Sequence, residues 1–299
     1  MSLRALSSLA CALVAAGAGA ALPAPEPVTF PSLEAGVTVP ALLYRPAAPA
    51  GPWPVIVALH GCGGMYSARA DRRHELSARH AAWTERFLAD GFAVLWPDSF
   101  APRGRQSVCA IKRGEPSIDP VVRKLDVLGA MAFAAREPGL DGRRLSLVGW
   151  SHGGSTVLET INGEDARVSG FYALAGAPPP PRAAVAFYPG CGVATRMRQG
   201  WLPALPLAIY AGALDDWTAS DVCVRLGESA RARGADMSVT VYPEAHHGFD
   251  GPGTRVTHLS DVTRGVRADK GVTVGPHPAA RAAVEVAVPA FLREHLKGS

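Results

Sequence analysis

The stretch Leu145-Ser146-Leu147-Val148-Gly149-Trp150-Ser151-His152-Gly153-Gly154 decides the fold. Residues 145–148 form a short run bounded by glycine, which reads as a buried strand. Gly149-Trp150-Ser151-His152-Gly153 has the pattern G-x-S-x-G, and a helical stretch begins near Gly154. A strand, a tight glycine-flanked turn and a helix together make a nucleophile elbow. The glycines permit a strained turn that lifts the serine hydroxyl clear of a sheet and lets the helix pack close behind it. The free N–H groups at the helix start then point to where negative charge would develop.

Further runs of the same kind lie on both sides. Residues 37–44, 55–59, 92–96, 185–188, 207–211 and 239–242 are short and mostly apolar, bounded by Gly, Pro or Asp. Apolar on both faces, such runs suit strands buried in a parallel sheet. Helical spacing fills the gaps. Trp83, Phe87 and Leu88 share a face, Val121, Leu125, Leu128 and Ala132 follow at steps of three and four, and Val284, Val288, Phe291 and Leu292 mark a C-terminal helix. Asp119-Pro120 supplies an N-cap and a first-turn proline for the second of these. Alternating strand and helix predict a doubly wound α/β sheet in one domain over residues 37–299, after a proline-rich segment, 21–36. Two long segments, 99–117 and 248–276, fit neither pattern and read as functional or mobile loops.

Composition removes other classes. The chain has 299 residues, 48% hydrophobic and 19% charged, which suits a sizeable core and not a disordered tail. Its formal net charge of +4 comes without a basic run of five or more and without an interleaved aromatic platform, so no nucleic-acid partner is indicated. Residues 1–20 carry Arg4, an apolar stretch of small residues and Ala18-Gly19-Ala20, the pattern of a signal peptide with an A-x-A cleavage site. A lipoprotein anchor at Cys11 is the alternative, disfavoured because Cys11 lies inside the apolar run. No later segment approaches membrane length. Export leaves Cys62, Cys109, Cys191 and Cys223, an even count for an oxidising periplasmic or extracellular compartment.

A serine at an elbow needs a base and an orienting acid, in the chain order Ser, Asp or Glu, His. Gly212-Ala213-Leu214-Asp215-Asp216-Trp217-Thr218 follows the strand 207–211, and Glu244-Ala245-His246-His247-Gly248-Phe249 follows 239–242. Both stand at the same sheet edge as Ser151. His60-Gly61-Cys62-Gly63-Gly64, directly after the strand 55–59, is an H-G-G-type turn. It assigns the backbone N–H groups of Cys62 and His152 as oxyanion donors, with His60 a buried tie in the loop. Asp98 reads as a turn cap. His74, His80, His258 and His277 stand isolated, so no metal is expected, and the chemistry calls for no cofactor.

These segments, with Trp96-Pro97-Asp98-Ser99-Phe100 and Phe187-Tyr188-Pro189-Gly190-Cys191, resemble the dienelactone hydrolase family of the α/β-hydrolase superfamily over residues 40–296. The resemblance implies the α/β-hydrolase fold and selects Asp215 over Asp216 as acid and His247 over His246 as base. Dienelactone hydrolases use a cysteine nucleophile in this elbow, whereas this chain has Ser151, so a general ester substrate is expected. In the strand order that the resemblance implies, 55–59 neighbours 92–96 and 185–188 neighbours 207–211, with the elbow strand between the pairs. The implied disulfides are Cys62–Cys109 and Cys191–Cys223. The expected function is therefore a secreted serine hydrolase of small-molecule carboxylic esters. Its rivals are a serine peptidase of prolyl-oligopeptidase type and a non-catalytic binding protein on the same fold.

Overall fold

The computed structural model describes residues 22–48, 50–111, 117–197, 200–267 and 270–297. The signal-peptide reading of 1–20, Cys11 and residues 112–116 of the long 99–117 segment lie outside them. The strands are β1 (Glu26–Pro31), β2 (Thr38–Tyr44), β3 (Trp53–Leu59), β4 (Ala93–Pro97), β5 (Leu140–Trp150), β6 (Ala183–Phe187), β7 (Leu207–Gly212) and β8 (Met237–Tyr242). They form one sheet in the order β1-β2-β4-β3-β5-β6-β7-β8. From β4 to β8 every pair is parallel, while β2 runs antiparallel to β4 and β1 antiparallel to β2. This is the α/β-hydrolase fold.

Helices cover both faces: α1 (Ala78–Ala89), α2 (Pro120–Ala134), α3 (His152–Thr160), α4 (Ala166–Tyr172), α5 (Gly192–Thr195), α6 (Ser220–Ala232) and α7 (Pro278–Lys297). The strands are apolar on both sides because each face meets its own layer. Val55, Val57, Leu95, Leu147 and Ile209 join a core with Val127, Met131, Leu158 and Leu226 from α2, α3 and α6. Their strand neighbours Ile56, Val94, Val148, Val185 and Ala208 point the other way, onto Trp83, Phe87, Val284, Val288 and Leu292 of α1 and α7. The twofold alternation of a strand divides the side chains between the two cores.

Two sequence expectations are corrected. The proline-rich segment 21–36 is not outside the domain: its residues Glu26–Pro31 are the edge strand β1, paired with β2 from Glu26↔Leu43 to Pro31↔Thr38. An edge position tolerates Pro27 and Pro31 because only one side of the strand must donate to the ladder. In α2 the face traced by Val121, Leu125, Leu128 and Ala132 is buried fully only at Leu128, with Leu125 and Ala132 half-buried. Val121 is exposed, while Arg123, Lys124 and Asp126 are buried beside Val127, Leu128 and Met131. Apolar periodicity failed because Lys124 and Asp126 have charged partners inside and Arg123 donates to His60 O and His152 Nδ1 there. Lys124 pairs with Glu159 of α3 at 3.2 Å and with Asp165, the N-cap of α4. Asp126 accepts from Ser32 at 2.7 Å and pairs with Arg103 at 2.8 Å. The Asp119 cap holds as expected, its carboxylate accepting from Val122 N at 2.9 Å. The 248–276 segment carries a small hairpin, β9 (Thr257–Leu259) and β10 (Val272–Val274).

Candidate active site

Ser151 stands between β5 and α3 with φ 53° and ψ −114°, a left-handed backbone that a non-glycine residue adopts only at some cost. Crowding fixes its neighbours. A Cβ on Gly149 would lie 2.3 Å from the Gly153 carbonyl oxygen, and one on Gly153 would lie 2.0 Å from that of Leu59. Glycine is therefore required at both ends of the elbow, which brings α3 up against β3 and β5. The Ser151 N–H donates to Phe187 O at 2.9 Å and ties the turn to β6.

Asp215 follows β7 and His247 follows β8. Their loops touch so closely that a Cβ on Gly212 would meet the Ala245 carbonyl oxygen at 2.1 Å. His247 Nε2 lies 2.9 Å from Ser151 Oγ, and His247 Nδ1 lies 2.8 Å from Asp215 Oδ2. Asp215 Oδ1 accepts from the N–H groups of Trp217 and Thr218 at 2.9 and 2.8 Å, and Thr218 Oγ1 donates to Oδ2 at 3.0 Å. Burial alone would raise the Asp215 pKa, but the attraction of His247 and these donors outweigh it, and the carboxyl is held below its usual range. Tyr188 and Trp217 pack on the His247 ring at centroid distances of 4.5 and 4.8 Å. A hydroxyl, an imidazole and a carboxylate in unbroken contact can pass a proton away from the hydroxyl oxygen as that oxygen attacks.

The partners in each doublet do other work. Asp216 Oδ1 accepts from Thr273 N at 2.7 Å and holds the hairpin, and His246 Nδ1 faces Leu214 O at 3.1 Å. Asp98 caps a turn, accepting from Phe100 N and Ala101 N at 3.0 and 3.1 Å. His60 is fully buried with Nδ1 2.8 Å from Gly61 O, and burial pushes its pKa well below the usual 6.5. His152 is held at a pKa of about 3 by burial and by Arg123, so its ring is neutral.

Cys62, Ser151 and His152 line one cavity of about 460 Å³. Cys62 is bonded to Cys109, with Cα atoms 4.9 Å apart, and Cys191 to Cys223, with Cα atoms 5.2 Å apart. Cys109 and Cys191 also line the cavity, with β5 and its elbow between the two bridges. Among the described residues no three His, Cys, Asp or Glu side chains form a group that could hold a metal ion.

Several residues that shape this site went unassigned from sequence. Thr218 had a readable signal, because an Asp whose carboxylate accepts from the second and third following N–H groups is a common turn. Tyr188, with φ 37°, and Asp250, three residues after His247, offered none, since their contacts come from elements distant in the chain.

Fold and site together define a protein of α/β-hydrolase class. A family model described as "Dienelactone hydrolase family" matches residues 39–269. The chain belongs to the dienelactone hydrolase family. A dienelactone hydrolase candidate from Klebsiella pneumoniae subsp. pneumoniae superposes with a TM-score of 0.62 at 17% identity, covering 91% of this chain and 100% of that one. A dienelactone hydrolase-like promiscuous phosphotriesterase from metagenomic libraries gives 0.61 at 18% identity, covering 91% and 99%. Thermogutta terrifontis esterase 2, phosphorylated by paraoxon, gives 0.57 at 20% identity, covering 91% and 95%. At these identities the likeness is one of fold. A comparison with curated proteins returned no match.

Proposed function

We propose that the chain is a serine hydrolase of carboxylic esters, exported to an oxidising compartment, with Ser151 as nucleophile, His247 as general base and Asp215 as the acid that orients it. The observation that carries this reading is the hydrogen-bonded line Ser151 Oγ–His247 Nε2 and His247 Nδ1–Asp215 Oδ2 beside the cavity.

Ser151 Oγ attacks the ester carbonyl carbon as its proton passes to His247 Nε2. The oxygen that becomes negative lies against the backbone N–H groups of Cys62 and His152. The His152 N–H belongs to the first turn of α3 and so has no partner within the helix. Collapse of the intermediate breaks the ester C–O bond, and the leaving alcohol takes the proton from His247. A water then attacks the acyl-enzyme, gives its proton to His247, and releases the acid as Ser151 regains its hydrogen. Asp215 holds the Nδ1–H tautomer and stabilises the imidazolium formed in each half-reaction.

The two disulfides support an oxidising location, periplasmic or extracellular. Among the described residues no helix is long and apolar enough to cross a membrane. A fluorophosphonate probe should label wild-type protein and not Ser151→Ala, and a series of p-nitrophenyl esters of rising acyl length should be hydrolysed by the wild type. Ser151→Ala should lose on the order of 10⁴-fold in kcat with its thermal midpoint unchanged. Absence of labelling, or more than a tenth of the activity surviving in Ser151→Ala, would overturn the reading. Turnover of peptide anilides in preference to esters would favour a peptidase instead.

A further inference from the structure

We infer that Arg123 is the positioning residue of the oxyanion side of this site: its guanidinium fastens the two segments that carry the backbone donors and leaves a positive charge directly behind them. The inference rests on the ester-hydrolase reading above.

The geometry is specific. Arg123 Nη1 donates to His60 O at 2.9 Å and to His152 Nδ1 at 2.9 Å. His60 stands two residues before Cys62, and His152 is one of the two donor residues itself. One nitrogen thus links the H-G-G-type turn to the first residue of α3, across the elbow. An Nδ1 that accepts places the His152 proton on Nε2, and a backbone hydrogen bond with Ile118 holds the ring further. The segments are therefore fixed relative to one another by a side chain from a third element, α2. Donors that must meet an oxyanion within a few tenths of an ångström gain from such a fastening.

A structural tie alone does not explain the charge. Arg123 is fully buried, yet no carboxylate among the described residues lies within ion-pair distance of it. Asp126 and Asp98 attract it from beyond contact, but their hydrogen bonds are made elsewhere, Asp126 with Arg103 and Ser32 and Asp98 with its turn. Nε and Nη2 find no hydrogen-bond partner among the described residues, and the guanidinium lies 5.1 Å from the Phe100 ring. The next residue shows the ordinary solution: Lys124, equally buried, sits between Glu159 and Asp165. Burying a cation with no carboxylate in contact is strongly unfavourable, and burial, against the attraction of Asp126 and Asp98, lowers the Arg123 pKa to about 9. Such a group is retained where its field acts, and here the reaction would develop a negative oxygen on the other side of the two donors. Ground-state ester carries no such charge, so the effect belongs to kcat and not to KM.

The test uses the full chain carrying Arg123→Met, Arg123→Lys and Arg123→Gln. Four quantities are measured: kcat, KM, the thermal midpoint, and affinity for an alkyl trifluoromethyl ketone. In that adduct Ser151 Oγ bonds to the ketone carbon, its proton moves to His247, and the carbonyl electron pair becomes an alkoxide with no leaving group. We expect Arg123→Met to lower kcat about 10²-fold and weaken the ketone by a similar factor, with KM within about threefold and the midpoint no lower. Arg123→Lys should recover at least tenfold relative to Arg123→Gln, because it returns the charge. Should Arg123→Met fail to fold, the Lys and Gln pair decides. Lys no better than Gln in kcat and ketone affinity, or Arg123→Met within threefold of wild type in both, overturns the inference. A wild-type protein that fluorophosphonate leaves unlabelled overturns the ester-hydrolase reading and the inference with it; a labelled wild type with unaffected Arg123 variants overturns the inference alone.

Discussion

The Trp150 indole donates a 2.8 Å hydrogen bond to the Asp250 carboxylate, so the residue before Ser151 is fastened to the segment that carries His247. Trp83 donates to the same oxygen at 2.9 Å, and the Tyr188 hydroxyl donates to the other at 2.6 Å. Arg79 adds its charge 3.2 Å away and donates to Gly248 O at 3.1 Å. One buried carboxylate therefore gathers β5, β6, α1 and the His247 segment. Asp250→Asn should cost about 3 kcal/mol of stability, because Arg79 loses its partner and one amide cannot accept at both ends. Urea denaturation checks this; an unchanged midpoint would refute the clamp.

The doublets separate by function. Asp215→Asn and His247→Ala should each lower kcat by 10³-fold or more, since either breaks the line to Ser151. Asp216→Asn keeps an acceptor for Thr273 N, and His246→Ala loses one exposed contact, so both should stay within about fivefold of wild type. Steady-state kinetics on one ester suffice, and an inactive Asp216→Asn would reverse the assignment of the acid.

Acid should destabilise the fold well above the carboxylate range. His60, His80 and His152 are buried and neutral, with pKa values well below 6.5, at about 4 and at about 3, burial being the main cause each time. The unfolded chain binds their protons from about pH 6.5 downward while the folded chain does not, so stability is complete above that pH and falls below it. The slope is about 1.4 kcal/mol per pH unit for each histidine until its folded pKa is reached. Thermal midpoints of wild type and His80→Gln between pH 7 and 4 test the sign: the variant should show the shallower decline.

Reduction should reach activity before it reaches the sheet. Cys62 carries a proposed oxyanion donor, and its bridge to Cys109 ties the chain around Cys109 beside it. The double variant Cys62→Ala/Cys109→Ala should lose about tenfold in kcat while its far-UV circular dichroism stays that of wild type. Loss of both signals together would show that the bridge serves the fold as a whole.

Much of this was legible in the sequence, for physical reasons. Strands β3 to β8 are buried on both faces and leave continuous apolar runs, and the elbow needs glycine at two positions that no other residue can occupy. Asp215 and His247 sit at strand ends, where local sequence and sheet topology agree. Strand β1 was not legible because Phe30 is its single buried residue and its prolines mimic an extended linker. The buried face of α2 was hidden because Arg123, Lys124 and Asp126 are held by residues more than 20 positions away, in segments that only the fold brings beside the helix. Asp250 failed the same way: its four partners lie on segments that only the folded chain brings together.

The two cystine bridges flank the elbow strand on either side, one anchored beside β3 and β4, the other beside β6 and β7. Each side wall of the cavity is thus braced by its own covalent bond, and neither bond crosses from one wall to the other. Changing which esters fit is then a matter of replacing side chains within the frame, at Val108, Val193 or Val222, which line it.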